Sequence, residues 1–585
     1  MKVLVPLVIA VLPLFAATSF AQVGTPGVQV PGAPRPGAQA PGMPPRDNNR
    51  AAPQTGTAVI RGRVVSQPTG QPLRRAQITL TGGEPGPGQL RRVTTTNAEG
   101  RYEFIQVPAG RFTLSAAKAG YVTLQFGQRR PFEEGTPVTV SEGQAIDAGF
   151  VLPRGSVIVV RITDEFGEPV AGAMVRIQRF QYGPDGRRRP VFAQTSMPGI
   201  GATSTDDRGE LRVYGLSPGD YIVEATTSLA QARGTNAGDA TEGFVTTYYP
   251  GVLTPGDAQA ISVGVGEEKP VQFSMVVSRL VSVSGRVADS QGRPAAQAAL
   301  SLVTFSGSGM SSSGLGQARP DGTFEAGGIA PGEYTLRVTL PRLGTTGESA
   351  MVPITVGTSD IKGLDVTLGP GAMVTGRVLF DGGEPRLGPT PPRVSLQQAD
   401  GRVSLFGAVG SGSDPIDTAG NFSVTGASGT VFLNVTPMPP GWTIKSVVVD
   451  GMDITDVPLD LDRRASVSDV VITVTDKPAV VSGSVTDGRG LTLREYVVVI
   501  QGAEQKEPVV ASRFVRRVRP DTSGRFEVRG LRPGRYLATA LEALEQGREF
   551  SPEFRQQLRQ APGTREFTLG EGQSVTVDVR LTPGL

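Results

Sequence analysis

The segment Asp521-Thr-Ser-Gly-Arg-Phe-Glu-Val-Arg-Gly-Leu-Arg-Pro-Gly-Arg-Tyr-Leu-Ala538 returns four more times along the chain at nearly constant internal spacing. Counted from Gly524, apolar or aromatic residues stand at plus two (Phe526), plus four (Val528), plus seven (Leu531) and plus twelve (Tyr536), with Gly534 at plus ten. The same ruler fits Gly100, Tyr102, Phe104, Val107, Gly110 and Phe112. It also fits Gly209, Leu211, Val213, Leu216, Gly219 and Tyr221, and Gly322, Phe324, Ala326, Ile329, Gly332 and Tyr334. Gly420, Phe422, Val424, Ala427 and Gly429 run one residue short.

Each part has a physical reason. Asn97, Asp206, Asp417 and Asp521 stand three residues before the first glycine, suiting the first position of a type I turn whose fourth position favours Gly; Arg319 departs. That predicts a hairpin tip. Phe526 and Val528 then alternate with Arg525, Glu527 and Arg529, the period of a strand with one buried face. Arg532-Pro533-Gly534 reads as a second turn, and Tyr536 and Ala538 resume the alternation. The unit is strand, turn, strand, turn, strand.

A second repeated feature lies upstream of each signature. Gly62-Arg-Val64 is followed by Gly70-Gln-Pro-Leu-Arg-Arg-Ala76-Gln-Ile78-Thr-Leu80. Gly167 to Ile177 and Gly292 to Leu302 repeat the Gly-x-Pro turn and alternating strand, and Gly376-Arg-Val378 and Gly483-Ser-Val485 open later units. Six to seven short strands per repeat predict an all-β chain of five immunoglobulin/transthyretin-like β-sandwiches in tandem. The expected spans are 57–153, 154–278 with a loop insertion, 279–370, 371–477, and 478–585 with a short helix at Ser551-Pro552-Glu-Phe554 to Leu558.

Ahead of the array, Met1-Lys2, an apolar run from Val3 to Ala17 and Ser19-Phe-Ala21 read as a signal peptide over 1–21, cut after Ala21. Residues 22–56 are rich in Pro and Gly with almost no bulky apolar side chains, the composition of a disordered linker. With no Cys there is neither a disulfide nor a lipoprotein cysteine, so the expected location is periplasmic or secreted, with no membrane insertion after processing.

The repeated motifs together resemble the carboxypeptidase regulatory-like domain, a transthyretin-like sandwich also grouped with the carbohydrate-binding-like fold and with collagen-adhesin B-type repeats. The resemblance extends over nearly all of 57–585 and implies fold rather than activity, because the matching residues are turns and core positions. In the metallocarboxypeptidases this module is the non-catalytic companion of the enzyme domain. Adhesin-type relatives often cross-link a first-strand Lys to a last-strand Asn. The opening strands here hold no Lys, which argues against such bonds.

The chemical inventory argues against an enzyme. There is no His and no Cys, hence no imidazole or thiolate for a nucleophile or a metal, and no catalytic residue, cofactor or metal is assigned. The adjacent pairs Glu133-Glu134, Asp206-Asp207 and Glu267-Glu268 point to opposite faces of a strand and are expected to be solvated turn charges. Asp450 to Asp462 is the best calcium candidate, set against a turn at Asp450-Gly451 with solvent-facing aspartates. Only three net positive charges, carried by 50 Arg against 7 Lys and spread along the repeats, argue against a nucleic-acid partner.

Three aromatic residues stand off the repeat pattern: Tyr248 and Tyr249 in the second unit's insertion and Trp442 in the fourth unit. They are the candidate ligand surface, set against a packing role. The expected function is a non-catalytic envelope or secreted scaffold with an envelope or extracellular protein as partner. The alternative is a carbohydrate-binding module recognising a glycan.

Overall fold

The computed structural model describes residues 56–585 apart from 83–89, 194–203, 228–241, 307–308, 341–346, 384–389, 400–411, 440, 463, 505–513 and 522. The proposed signal peptide and nearly all of the linker lie outside the described residues. Within them the regular secondary structure is almost entirely strand. Residues 53–585 hold together as one compact unit.

The first repeat sets the pattern. Its opening strand Ala58–Ser66 pairs antiparallel with Arg101–Val107 on one side. On the other it pairs in parallel with Ala145–Asp147 and then Phe150–Leu152. The facing sheet carries Leu90–Thr95, Gln77–Gly82 and Gly110–Ala117 side by side. Ile60, Ile78, Leu80, Phe104, Val107 and Leu114 fill the space between. Separate cores of the same composition form around Ile158 and Tyr221, Val283 and Leu336, Val374 and Ile472, and Val481 and Ile500.

This topology corrects the expected hairpin tip. The turn Asn97–Gly100 leads from Leu90–Thr95, in one sheet, to Arg101–Val107, in the other, and the Pro-Gly turn leads back. Both turns are corners between sheets, and the strands they join do not pair. The local chemistry is as expected: Gly100 N–H donates to Asn97 O at 3.1 Å, and Arg101 N–H to Asn97 Oδ1 at 2.8 Å. Asp206, Asp417 and Asp521 make the same contacts. Where Arg319 replaces the acid, Asp321 accepts from Thr323 instead.

Two glycines of the pattern are required by space. At Gly100, φ is +73° and a Cβ would lie 2.5 Å from Val64 O. At Gly62 a Cβ would lie 2.1 Å from Ala148 O, at the point where the closing strand breaks its parallel ladder. Gly285, Gly376 and Gly483 meet carbonyls at 2.0, 1.9 and 2.1 Å at the same break. The second repeat proves the cause. There the parallel ladder runs unbroken from Val157–Thr163 to Glu268–Ser274, and the equivalent position is Val160, fully buried.

The plus-twelve tyrosine fastens the second corner. Tyr221, Tyr334 and Tyr536 each donate a hydroxyl hydrogen bond to the carbonyl four residues earlier, at Ser217, Ala330 and Arg532. In the last repeat, the strand Val497–Gly502 is buried on both faces. Val498 and Ile500 face the sandwich core, while Val497 and Val499 are covered by the helix Pro552–Gln560 through Phe554 and Leu558. Ser551 caps that helix, accepting from Phe554 N–H, with Pro552 in its first turn.

Candidate functional site

Of the three off-pattern aromatics, Tyr248 and Trp442 are buried and Tyr249 is half-buried. Tyr248 is 8 % exposed and pairs through Thr247–Tyr248 with the strand Gly219–Thr226. Its phenol is pushed well above the usual range by burial and by its bond to the carboxylate of Glu224. Glu224, itself buried, also accepts from Arg176 at 2.6 Å and Gln178 at 2.8 Å. Tyr249 packs edge-on to Phe273 in the second core. Trp442 is 8 % exposed and stands edge-on to Phe380, with ring centroids 5.4 Å apart.

The acidic pairs are held in different ways. Asp206 caps its turn, and the backbone N–H of Glu210, foremost among its partners, holds its carboxyl below the usual range. Glu268 is exposed and pairs with Arg212 at 2.8 Å. Glu133 and Glu134 depart from the expectation of solvated turn charges. The Glu133 side chain is only 5 % exposed, 3.7 Å from the buried guanidinium of Arg519. Glu134 bonds Arg517, and its carbonyl accepts from Arg519 at 2.6 Å.

These contacts form a junction where the last sandwich meets the first two. From the first come the loop between Gln125 and Thr136 and its charged residues: Arg129 bonds Glu495, and Arg130 lies 3.5 Å from Glu542. Phe132 extends into the second sandwich. It packs edge-on to Tyr221 beneath the guanidinium of Arg179, while its carbonyl accepts from Gln546 N–H at 2.9 Å. Arg179 is buried and reaches Glu545 at 2.5 Å. Arg517 also lies 3.4 Å from Glu549, whose carboxyl is pushed up by burial against the pull of Arg517.

The opposite side of the last sandwich is tied to the fourth. Arg532 bonds Asp456 and, at 2.7 Å, Asp453. Lys445 bridges Asp381, at 2.7 Å, and Glu571. The expected alternation holds at Asp460 and Asp462, exposed beside the buried Leu459 and Leu461, but Asp456 departs from it, buried against a guanidinium from the next sandwich. Asp450 and Gly451 do form the expected turn, both with positive φ, between Thr443–Val449 and Met452–Asp453.

Two of the clefts among the described residues lie between sandwiches. One, of about 630 Å³, lies between Gln67, Pro68 and Gly120 of the first sandwich and Arg212, Tyr214 and Glu268 of the second. Its charges are engaged: Arg212 with Glu268, and Arg154 over the ring of Tyr121 at 4.8 Å. The other, about 450 Å³, separates Phe180, Tyr182 and Arg188 from the helix of the last sandwich. No residue sequence reasoning proposed as a site lines either cleft apart from Glu268. One signal of the junction was present in the sequence: three carboxylates, Glu542, Glu545 and Glu549, crowd one short segment.

Similarity to solved structures is low. The Bacillus anthracis TIE protein is 12 % identical over 54 % of this chain and 51 % of its own, with a TM-score of 0.14. Thus the match spans about half of that protein. A streptococcal ancillary pilin is 12 % identical over 54 % of this chain and 99 % of its own, TM-score 0.21. GBS52, the minor pilin of Streptococcus agalactiae, is 15 % identical over 37 % of this chain and 95 % of its own, TM-score 0.19. No curated protein matches the chain. The family model of the carboxypeptidase regulatory-like domain matches residues 59–153, the first of the repeated sandwiches.

Proposed function

We propose that the protein is a non-catalytic scaffold of the cell envelope or the extracellular space, exported through Met1 to Ala21 and presenting its sandwiches to an envelope or extracellular protein. The observation that carries this reading is the junction itself. Four carboxylates singled out in the sequence, Glu133, Glu134, Asp453 and Asp456, are bonded to arginines of another sandwich. They hold sandwiches against one another. Burial of Tyr248 and Trp442 favours the scaffold over a glycan-binding surface at those rings, because sugar recognition needs an open aromatic face with a polar rim.

The test is small-angle scattering on the full chain and on Arg517→Ala/Arg519→Ala. A scaffold held by this junction expands in the variant while each sandwich stays folded by circular dichroism; an unchanged radius of gyration removes the holding role. Intact Met1 in protein recovered from the envelope removes export through this segment.

A further inference from the structure

The last sandwich is tied to the first across 366 to 385 residues of intervening chain. Three features make that closure exchangeable. The contact is charge-complementary, with Arg517 and Arg519 on one side facing Glu133 and Glu134 on the other. Its contacts are hydrogen bonds and ion pairs, and the outer face of the last sandwich is covered by its own helix through Phe554 and Leu558. Separation therefore exposes charge rather than a hydrophobic face. Finally, the tether between the two faces adds no contact of its own, only an effective concentration set by the chain that joins them. A neighbouring copy offers the same two faces.

We infer that this junction is also an interface between copies of the chain: the last sandwich of one molecule docks on the Gln125-to-Thr136 loop and Arg179 of a second. The ion pairs are those of the closed molecule. The contact joins different surfaces, so two molecules that exchange it reciprocally close into a dimer.

Charge reversal tests this on the full chain by sedimentation. The wild type gains dimer as its concentration rises and trans contacts compete with the tether, and loses it in high salt. E133R/E134R and R517E/R519E are each monomeric, since like charges face each other both within and between identical copies. Mixed at micromolar concentration, they form a heterodimer. One contact in it is native, between Arg517 and Arg519 of the first variant and Glu133 and Glu134 of the second, and the other has both signs reversed. A mixture that stays monomeric while both variants remain folded by circular dichroism overturns the proposal. So does a wild type monomeric at every concentration. If a reversed variant does not fold, E133Q/E134Q takes its place, and a wild-type dimer that survives this change also overturns the proposal.

Discussion

Arg517 and Glu134, 383 residues apart along the chain, meet in a direct charge-assisted hydrogen bond. Arg517 is buried and Glu134 half-exposed, while the neighbouring pair, Arg519 and Glu133, is buried on both sides. The second pair is the more sensitive of the two. Removing one partner of a buried pair leaves a charge uncompensated and costs about 3 to 5 kcal/mol. Arg519→Ala should therefore lower the denaturation midpoint and raise hydrogen exchange in the loop between Gln125 and Thr136. Exchange confined to the segment that carries Arg519 would contradict a shared junction.

Acidification should tighten this junction before it loosens it. Burial raises the carboxyl of Glu549 above its ordinary value, and the groups facing it are Arg517, which opposes the rise, and Glu134, which adds to it. A raised carboxyl binds its proton more firmly in the folded protein, so the stabilisation is fullest below the unfolded value and is lost as pH rises through the folded one. Stability should thus climb as pH falls from neutrality toward the ordinary carboxylate range. Glu549→Gln should flatten that climb in melts taken across the same interval.

Glycines of equal appearance should differ in tolerance. A Cβ at Gly490 meets nothing within 4 Å, so Gly490→Ala costs only the left-handed backbone, about 1 to 2 kcal/mol. At Gly483 a Cβ would stand 2.1 Å from Val577 O, so the closing strand must shift, and the cost should approach about 3 kcal/mol. Paired denaturant titrations check the order, and equal losses would refute the steric reading of the ladder break.

Trp442→Ala should behave as a core deletion. The ring is buried against Phe380 in the fourth core, and such truncations cost about 3 to 5 kcal/mol. The melting temperature should fall while retention on envelope polysaccharide is unchanged. Lost retention at an unchanged melting temperature would restore the ring as a ligand platform.

Local chemistry was largely legible in the sequence. Asn97 and Asp206 announce their turns, and Phe526 and Val528 announce a half-buried strand, because those contacts lie within a few residues. The run Tyr496 to Ile500, apolar throughout, belongs to a strand covered on both faces. What the spacing did not carry was pairing. A turn between sheets and a hairpin tip have the same residues, since Gly and Asn answer only to φ and the local carbonyl. Burial of Glu133 depends on Arg519, and burial of Asp456 on Arg532, each placed by a sandwich far downstream or next in line. Tyr248 looked free because its partner Glu224 belongs to a different strand.

The parallel pairing of opening and closing strands bears on mechanical load. In the second sandwich seven consecutive residues, Val157 to Thr163, run beside Glu268 to Ser274 in the same direction, so the chain enters at one end of the pair and leaves at the other. Tension applied through the two ends slides these strands along each other and loads the whole row of hydrogen bonds together, whereas an antiparallel pair would open one bond at a time. Each sandwich built this way resists being pulled lengthwise by shear across its first and last strands.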